Sequence, residues 1–314
     1  MKYFLLFILF SGMMLQGQNP AVSEDQEAAI SLDNLEETIS YLASDELKGR
    51  DMGSPGIEKA ATYIENRLKK AGLQPYFKTY RDSFEHKDLI GYNIVAFKEG
   101  TDPQLKEEII VIGAHYDHIG IIQAVEGDSI ANGANDNASG TAAVLELADY
   151  FSQRDTKRSV LFTLFSGEER GLLGSSHLAQ RLKSGSLPIS AMLNFEMVGV
   201  PMKDKDYLAY LTGYEVSNMA EVMNSYAGKK TLGFLPQARQ LQLFRRSDNY
   251  AFYEHLKTPA HTISTFDFTN FDHYHQVGDE VALMDIPSIE KLLTALLTPI
   301  EEILNSDEFP IKLN

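Results

Sequence analysis

The 314-residue chain contains no cysteine. It therefore has neither a disulfide framework nor a lipid-modified cysteine, and any metal site in it does without thiolate. Positive charge is also scarce. Lys and Arg number 28 against 44 Asp and Glu, a formal net charge of −16. Nucleic acids and anionic membranes require basic patches, so neither is expected as a partner. After the N-terminus no apolar run approaches the length of a membrane span. Internal repeats, low-complexity tracts and a second-domain boundary are absent too, and the length suits one large α/β domain.

What the N-terminus does carry is a secretory pattern over Met1–Gln16. Lys2 supplies a short positive region, Tyr3–Phe10 an apolar one, and Gly17 a small residue for cleavage. A signal peptide over residues 1–17 is expected, with residues 18–314 forming a single domain behind a polar linker, Gln18–Ala29. An exported chain without disulfides fits a bacterial periplasm or the exterior.

The chain is organised around Ser159–Gly174, SVLFTLFSGEERGLLG. Its first seven residues are rich in β-branched and aromatic side chains and read as a buried strand. The strand ends at Ser166-Gly167 and delivers two adjacent acids, Glu168 and Glu169. Upstream, Leu32–Leu42 is expected to be a short helix. Ser54-Pro55 opens an amphipathic helix with Ile57, Ala60, Ala61, Ile64 and Leu68 on one face, closed by Gly72. Strands are expected at Tyr76–Arg81, Tyr92–Phe97 and Glu108–Ala114. The last is a nearly continuous apolar run, the mark of a strand buried on both faces.

From there strands and helices alternate. Ala138–Phe151 is helical, Ser175–Lys183 helical, Ile189–Phe195 a strand, Tyr207–Leu211 a strand, Val216–Ala227 a helix and Ala260–Thr265 a strand. The last helix starts near Asp285 with Ile289, Leu292, Leu293, Leu296 and Leu297 along one stripe, and Pro299 is expected to kink or interrupt it. The alternation predicts an α/β fold, a mostly parallel mixed sheet with helices on both faces.

Open α/β sheets bind ligands beyond the carboxyl ends of their strands, and there this chain gathers metal-ligating residue types. One strand end delivers His115-Tyr116-Asp117. A loop with Gly133 and Asn135 presents Asp136, the next strand Glu168-Glu169, and the next Glu196. A C-terminal loop carries Asp272-His273-Tyr274-His275, with Asp279 four residues on. Each alone has a simpler explanation, such as Asp136 capping the following helix. Together at the ends of one sheet they point to a cation, and imidazole with carboxylate suits zinc.

These stretches resemble a family. GAHYDHIG at Gly113–Gly120, GANDNASGTAAVLELA at Gly133–Ala148, FSGEERGLLGS at Phe165–Ser175, NFEMVG at Asn194–Gly199, RSDNYAF at Arg246–Phe252 and DHYHQVGDE at Asp272–Glu280 are similar to the secreted dizinc aminopeptidases and glutamate-carboxypeptidase-type enzymes of metallopeptidase family twenty-eight. YLASDELKGRDMGSPG at Tyr41–Gly56 shares the pattern. The resemblance runs from about Leu32 to the final helix and implies a zinc-exopeptidase fold of the phosphorylase/hydrolase-like type.

It further implies two Zn2+ ions and a peptide substrate. His115 and Glu196 would bind one ion, Glu169 and His275 the other, with Asp136 bridging both. Glu168 would be the general base, taking a proton from the attacking water and passing it to the leaving amine. Asp117 would hold the His115 ring, Tyr274 would steady the oxyanion and Arg246 would bind substrate or product. The peptide bond after the bridging aspartate is commonly cis in this family, here Asp136–Asn137. The family's aminopeptidases usually carry Asp where this chain has Glu196, and that acid also meets the substrate's free amine. Aminopeptidase is the leading expectation; carboxypeptidase or dipeptidase, a one-zinc glutaminyl-cyclase-like acyltransferase and a metal-free binding protein are the alternatives. His86, His118, His177, His255, His261 and His273 are expected to be structural or surface residues, with His118 nearest the pocket edge.

Overall fold

A computed structural model describes residues 30–185 and 188–314. The expected signal peptide and the linker Gln18–Ala29 lie outside the described residues. Among the described residues no helix is long and apolar enough to cross a membrane.

The strands are β1 (Gln74–Pro75), β2 (Arg81–His86), β3 (Leu89–Lys98), β4 (Ile109–His115), β5 (Ile121–Val125), β6 (Asp128–Ile130), β7 (Ser159–Phe165), β8 (Ile189–Phe195), β9 (Ala209–Leu211), β10 (Leu232–Gly233) and β11 (Ala260–Ser264). The helices are α1 (Leu32–Leu42), α2 (Pro55–Lys70), α3 (Gly140–Ser152), α4 (Leu173–Lys183), α5 (Met219–Ala227), α6 (Pro236–Gln240), α7 (Asn249–Leu256) and α8 (Ile286–Asn305). One nine-stranded sheet runs β1-β3-β7-β4-β8-β11-β9-β10, with β2 paired to β3. Its central strands β7, β4, β8 and β11 are parallel, and antiparallel pairs flank them at β3–β7 and β11–β9. The mixed sheet expected from the sequence is the sheet observed.

Alternation along the strands sorts the core onto two faces. Val160, Phe162 and Leu164 of β7 join Ile110, Ile112 and Leu193 under α1, α2, α3, α5 and α8. Leu161 and Phe165 join Ile109, Val111 and Met192 under α4 and α7. With helices on both faces, β4 and β7 are buried along their whole length. Ser54 caps α2 by accepting from the Ile57 amide, and Pro55 occupies the first turn, as its sequence suggests.

One expected strand fails and one helix is longer than an interruption would allow. Residues 76–80 are not a strand; the strand begins at Arg81, because its alternating partners Asp82 and Phe84 are the buried positions. Pro299 does not interrupt the last helix, which continues to Asn305. Leu296, Leu297, Ile300, Ile303 and Leu304 are buried on either side of it, and that packing outweighs the missing backbone hydrogen bond.

Candidate metal centre

The parallel strands end on one edge of the sheet, and their loops converge there. β4 ends at His115, followed by Tyr116, Asp117 and His118. The loop Gly133–Ser139 precedes α3 and holds Asp136. After β7 the chain turns sharply through Gly167, at φ +73°, where a Cβ would lie 2.8 Å from the Met52 sulfur. That left-handed turn, which glycine alone adopts freely, aims both Glu168 and Glu169 at the site. Glu196 follows β8 directly.

Asp136 is the hub. Its Oδ1 lies 3.4 Å from His115 Nε2 and its Oδ2 lies 3.3 Å from His275 Nε2, so its two oxygens face two different imidazoles. Glu169 Oε2 is 3.0 Å from the same His275 nitrogen. Glu168 falls with His115 and Glu169, their ligand atoms within 4.8 Å of one another. Glu196 is adjacent enough for its charge to act on His115. Asp117 approaches His115 differently from expectation: its main-chain oxygen lies 3.2 Å from Nδ1, while its carboxylate is 3.8 Å away and accepts from the Glu168 amide at 3.3 Å. Tyr274 stacks on His275 with ring centroids 4.0 Å apart. Arg246 is exposed and lines a cavity with Glu196, Tyr274, Phe266 and Phe268.

The loop bearing Asp136 is tied down on every side. Asp279 accepts from the Asn135 and Asp136 amides at 2.7 and 2.9 Å. Asn137 Oδ1 accepts from the Met197 amide, and Asn135 Oδ1 from Gly199, joining this loop to the one that carries Glu196. The Asp136–Asn137 peptide bond is cis, as the resemblance implies.

The fold also brings here His118, expected only at the pocket edge, and two residues without a sequence-based role in the centre, Asp248 and Arg50. His118 is fully buried, with Nδ1 2.9 Å from Glu169 Oε1. Asp248 is fully buried and neither of its carboxylate oxygens has a hydrogen-bond partner. Its position two residues after Arg246 in the same motif was the available signal. Arg50 is also fully buried, beneath the centre, and donates to the carbonyls of Leu42, Tyr116, Asn132 and Gly133. No short-range pattern marks it. Of the other histidines, His261 is buried, between the Thr212 carbonyl and the Ser217 hydroxyl.

The residues fit a divalent cation. His115 Nε2 and Glu196 Oε2 are buried without a hydrogen-bond partner. Burial pushes Asp117 and Glu196 up to about 7 and Asp248 up to about 6. Burial likewise drives Glu168 well above the usual carboxylate range, with His115 working against it. Carboxyls crowded in one desolvated place resist ionisation, and a cation removes the penalty. An oxygen- and imidazole-lined pocket without thiolate suits zinc.

Comparison with known proteins agrees with this chemistry. A "Probable zinc metalloprotease" of Pyrenophora teres f. teres is 32% identical over 207 residues, 60% of this chain and 43% of that protein. The chain thus spans less than half the length of this relative. The Legionella pneumophila LapA aminopeptidase superposes with a TM-score of 0.69 at 20% identity, over 96% of this chain and 78% of that one. A glutaminyl cyclase of Porphyromonas gingivalis superposes with a TM-score of 0.67 at 16% identity, over 87% of this chain and 99% of that one. At such identities the two structures establish a shared fold and nothing more. The family model described as "Peptidase family M28" matches residues 93–298, from β3 to α8. That match takes in every strand-end residue of the centre, and the chain belongs to peptidase family M28.

Proposed function

We propose that the protein is an exported zinc-dependent exopeptidase, acting as an aminopeptidase through one catalytic domain behind a cleaved signal at residues 1–17. The observation that carries this reading is Asp136, whose two oxygens face His115 and His275, an arrangement suited to bridging two adjacent cations. His115 and Glu196 would hold one zinc, Glu169 and His275 the other, and Asp136 both. Bound there, zinc supplies Lewis acidity to a scissile carbonyl and lowers the pKa of an attacking water.

The protein's own groups do the remaining work. Glu168 accepts the water's proton and returns it to the departing amine. Its amide is fixed by the Asp117 carboxylate, and burial keeps its affinity for a proton high, as a base that must later act as an acid requires. Tyr274, held flat against His275, presents its hydroxyl to the oxyanion. Burial raises the Tyr274 pKa, so the phenol keeps the proton it donates. Glu196 meets the substrate's free amine.

A second reading, carboxypeptidase or dipeptidase, is favoured by one feature. Arg246 places an exposed guanidinium on the cavity that Glu196 and Tyr274 also line, where it can pair with a carboxylate. The test is mass spectrometry of peptides with free and acetylated N-termini, incubated with the zinc-loaded chain. Stepwise loss confined to free N-termini supports the aminopeptidase; trimming of acetylated peptides from the C-terminus selects the second reading. Cleavage of neither set overturns both.

A further inference from the structure

His118 belongs to the centre: a ligand atom of its ring falls within 4.8 Å of those of Asp136 and Glu169, although the five-residue ligand set proposed above is complete without it. Its ring is fully buried, edge-on to His275 with centroids 5.7 Å apart. Room for the ring is built into the fold, since a Cβ at Gly133 would lie 2.6 Å from two of its atoms. Its amide donates to the Arg50 carbonyl at 3.4 Å.

The ring's two nitrogens differ. Nδ1 lies 2.9 Å from Glu169 Oε1 and 3.8 Å from Asp136 Oδ2, while Nε2 is buried with no hydrogen-bond partner. A neutral imidazole carries one N–H. Placing it on Nδ1 gives that proton an acceptor and leaves no buried donor unpaired. Were Nδ1 a metal ligand, the proton would sit on Nε2 with nothing to accept it, at the full cost of an unmade hydrogen bond. Glu169 is then gripped at both oxygens, Oε1 by His118 and Oε2 beside His275 Nε2 at 3.0 Å.

We propose that His118 is a positioning residue: its Nδ1–H donates to Glu169 Oε1 and so turns Oε2 toward the cation position shared with His275 and Asp136. This rests on the two-zinc reading above. Outer partners of this kind fix the orientation of a ligand carboxylate, and losing one lowers metal affinity roughly 10–100-fold.

The test measures zinc affinity on the full chain by chelator competition, and coordination by the visible spectrum of the cobalt-substituted protein. His118→Phe keeps the ring's bulk without the donor. It should weaken one ion roughly 10–100-fold and leave the other unchanged. His118→Asn, whose amide nitrogen stands near the Nδ1 position, should recover most of that loss. The cobalt spectrum should keep its imidazole ligands in both variants. Should the Phe variant not fold, His118→Leu is compared in its place. Equal loss at both ions, no loss at either, or no recovery with Asn overturns the proposal. A cobalt spectrum lacking one imidazole also overturns it, since His118 would then be a ligand. A wild-type chain that takes up a single ion overturns the two-zinc reading instead, and the same variants then test His118 on that ion.

Discussion

Glu168 and Glu169 are neighbours in sequence to which we assign opposite tasks, base and ligand, and the assignment predicts how variants fail. Glu169 lies against His275 and His118, whereas the Glu168 carboxylate has its largest attraction to His115 and faces Glu196, Asp248 and Glu169 as like charges. Glu168→Gln should retain zinc and lose turnover by roughly 10²–10⁴-fold, the range for a general base. Normal kcat in that variant would remove Glu168 from the mechanism. Asp136→Ala should instead lose metal, read as zinc content after dialysis. His261 makes a prediction away from the centre. Burial lowers its pKa to about 4, and its nitrogens are used by the Thr212 carbonyl and the Ser217 hydroxyl. Between pH 6.5 and about 4 the unfolded chain binds a proton there and the folded chain does not, so stability falls as pH is lowered through that window. The full effect is roughly 3 kcal/mol. Urea unfolding of the metal-free chain should show a shallower pH slope for His261→Gln than for wild type; parallel slopes would clear His261.

At the scale of elements, the short turn Asp45–Arg50 and the Asp51 that follows it hold three site loops together. Arg50 donates to carbonyls on the loops of Tyr116 and of Asn132 and Gly133, Gly49 O accepts from the Gly120 amide, and Asp51 pairs with Arg170 beside Glu169. Arg50→Met leaves buried carbonyls unpartnered and should destabilise the metal-free chain by about 3–5 kcal/mol. Arg50→Lys, lacking the planar fork, should recover only part. A loss under about 1 kcal/mol in urea unfolding would show that other donors replace the guanidinium. This turn also marks how far the sequence could be read. β7 and β8 were legible to the residue because strands that run through the middle of the sheet are predominantly apolar. The edge strand β2, RDSFEH, was not, since a half-exposed polar strand lacks that signature and its partners on β3 and α2 define it. The strand-end residues proposed as ligands could be named because each sits at the end of a readable run. Arg50 could not, and no role in the centre could be assigned to Asp279 or His118, because those roles arise between segments distant in sequence. Arg50 meets Gly133 across 83 positions, and Asp279 meets Asp136 across 143.

For the molecule as a whole, the core and the centre are separable. The two large apolar clusters cover the faces of the sheet and include none of the proposed ligands. The centre instead concentrates Asp117, Glu168, Glu196 and Asp248, all pushed upward by burial, in a chain of net charge −16. Chelation should therefore leave far-UV circular dichroism at room temperature unchanged while lowering Tm. Each ion that binds only the folded chain contributes about 2.7 kcal/mol at a free concentration one hundred times its Kd. Tm should consequently rise with free zinc, and a chain with two unequal sites should show a steeper dependence on the logarithm of free zinc once the weaker site begins to fill. Hydrogen exchange places the effect: on chelation, protection should fall in residues 115–120, 133–139 and 166–172 and persist in β4, β7 and β8. Loss of protection throughout the sheet would mean that the metal, rather than the two apolar faces, holds the fold together. A Tm indifferent to zinc would leave the buried acids without the cation that their crowding implies.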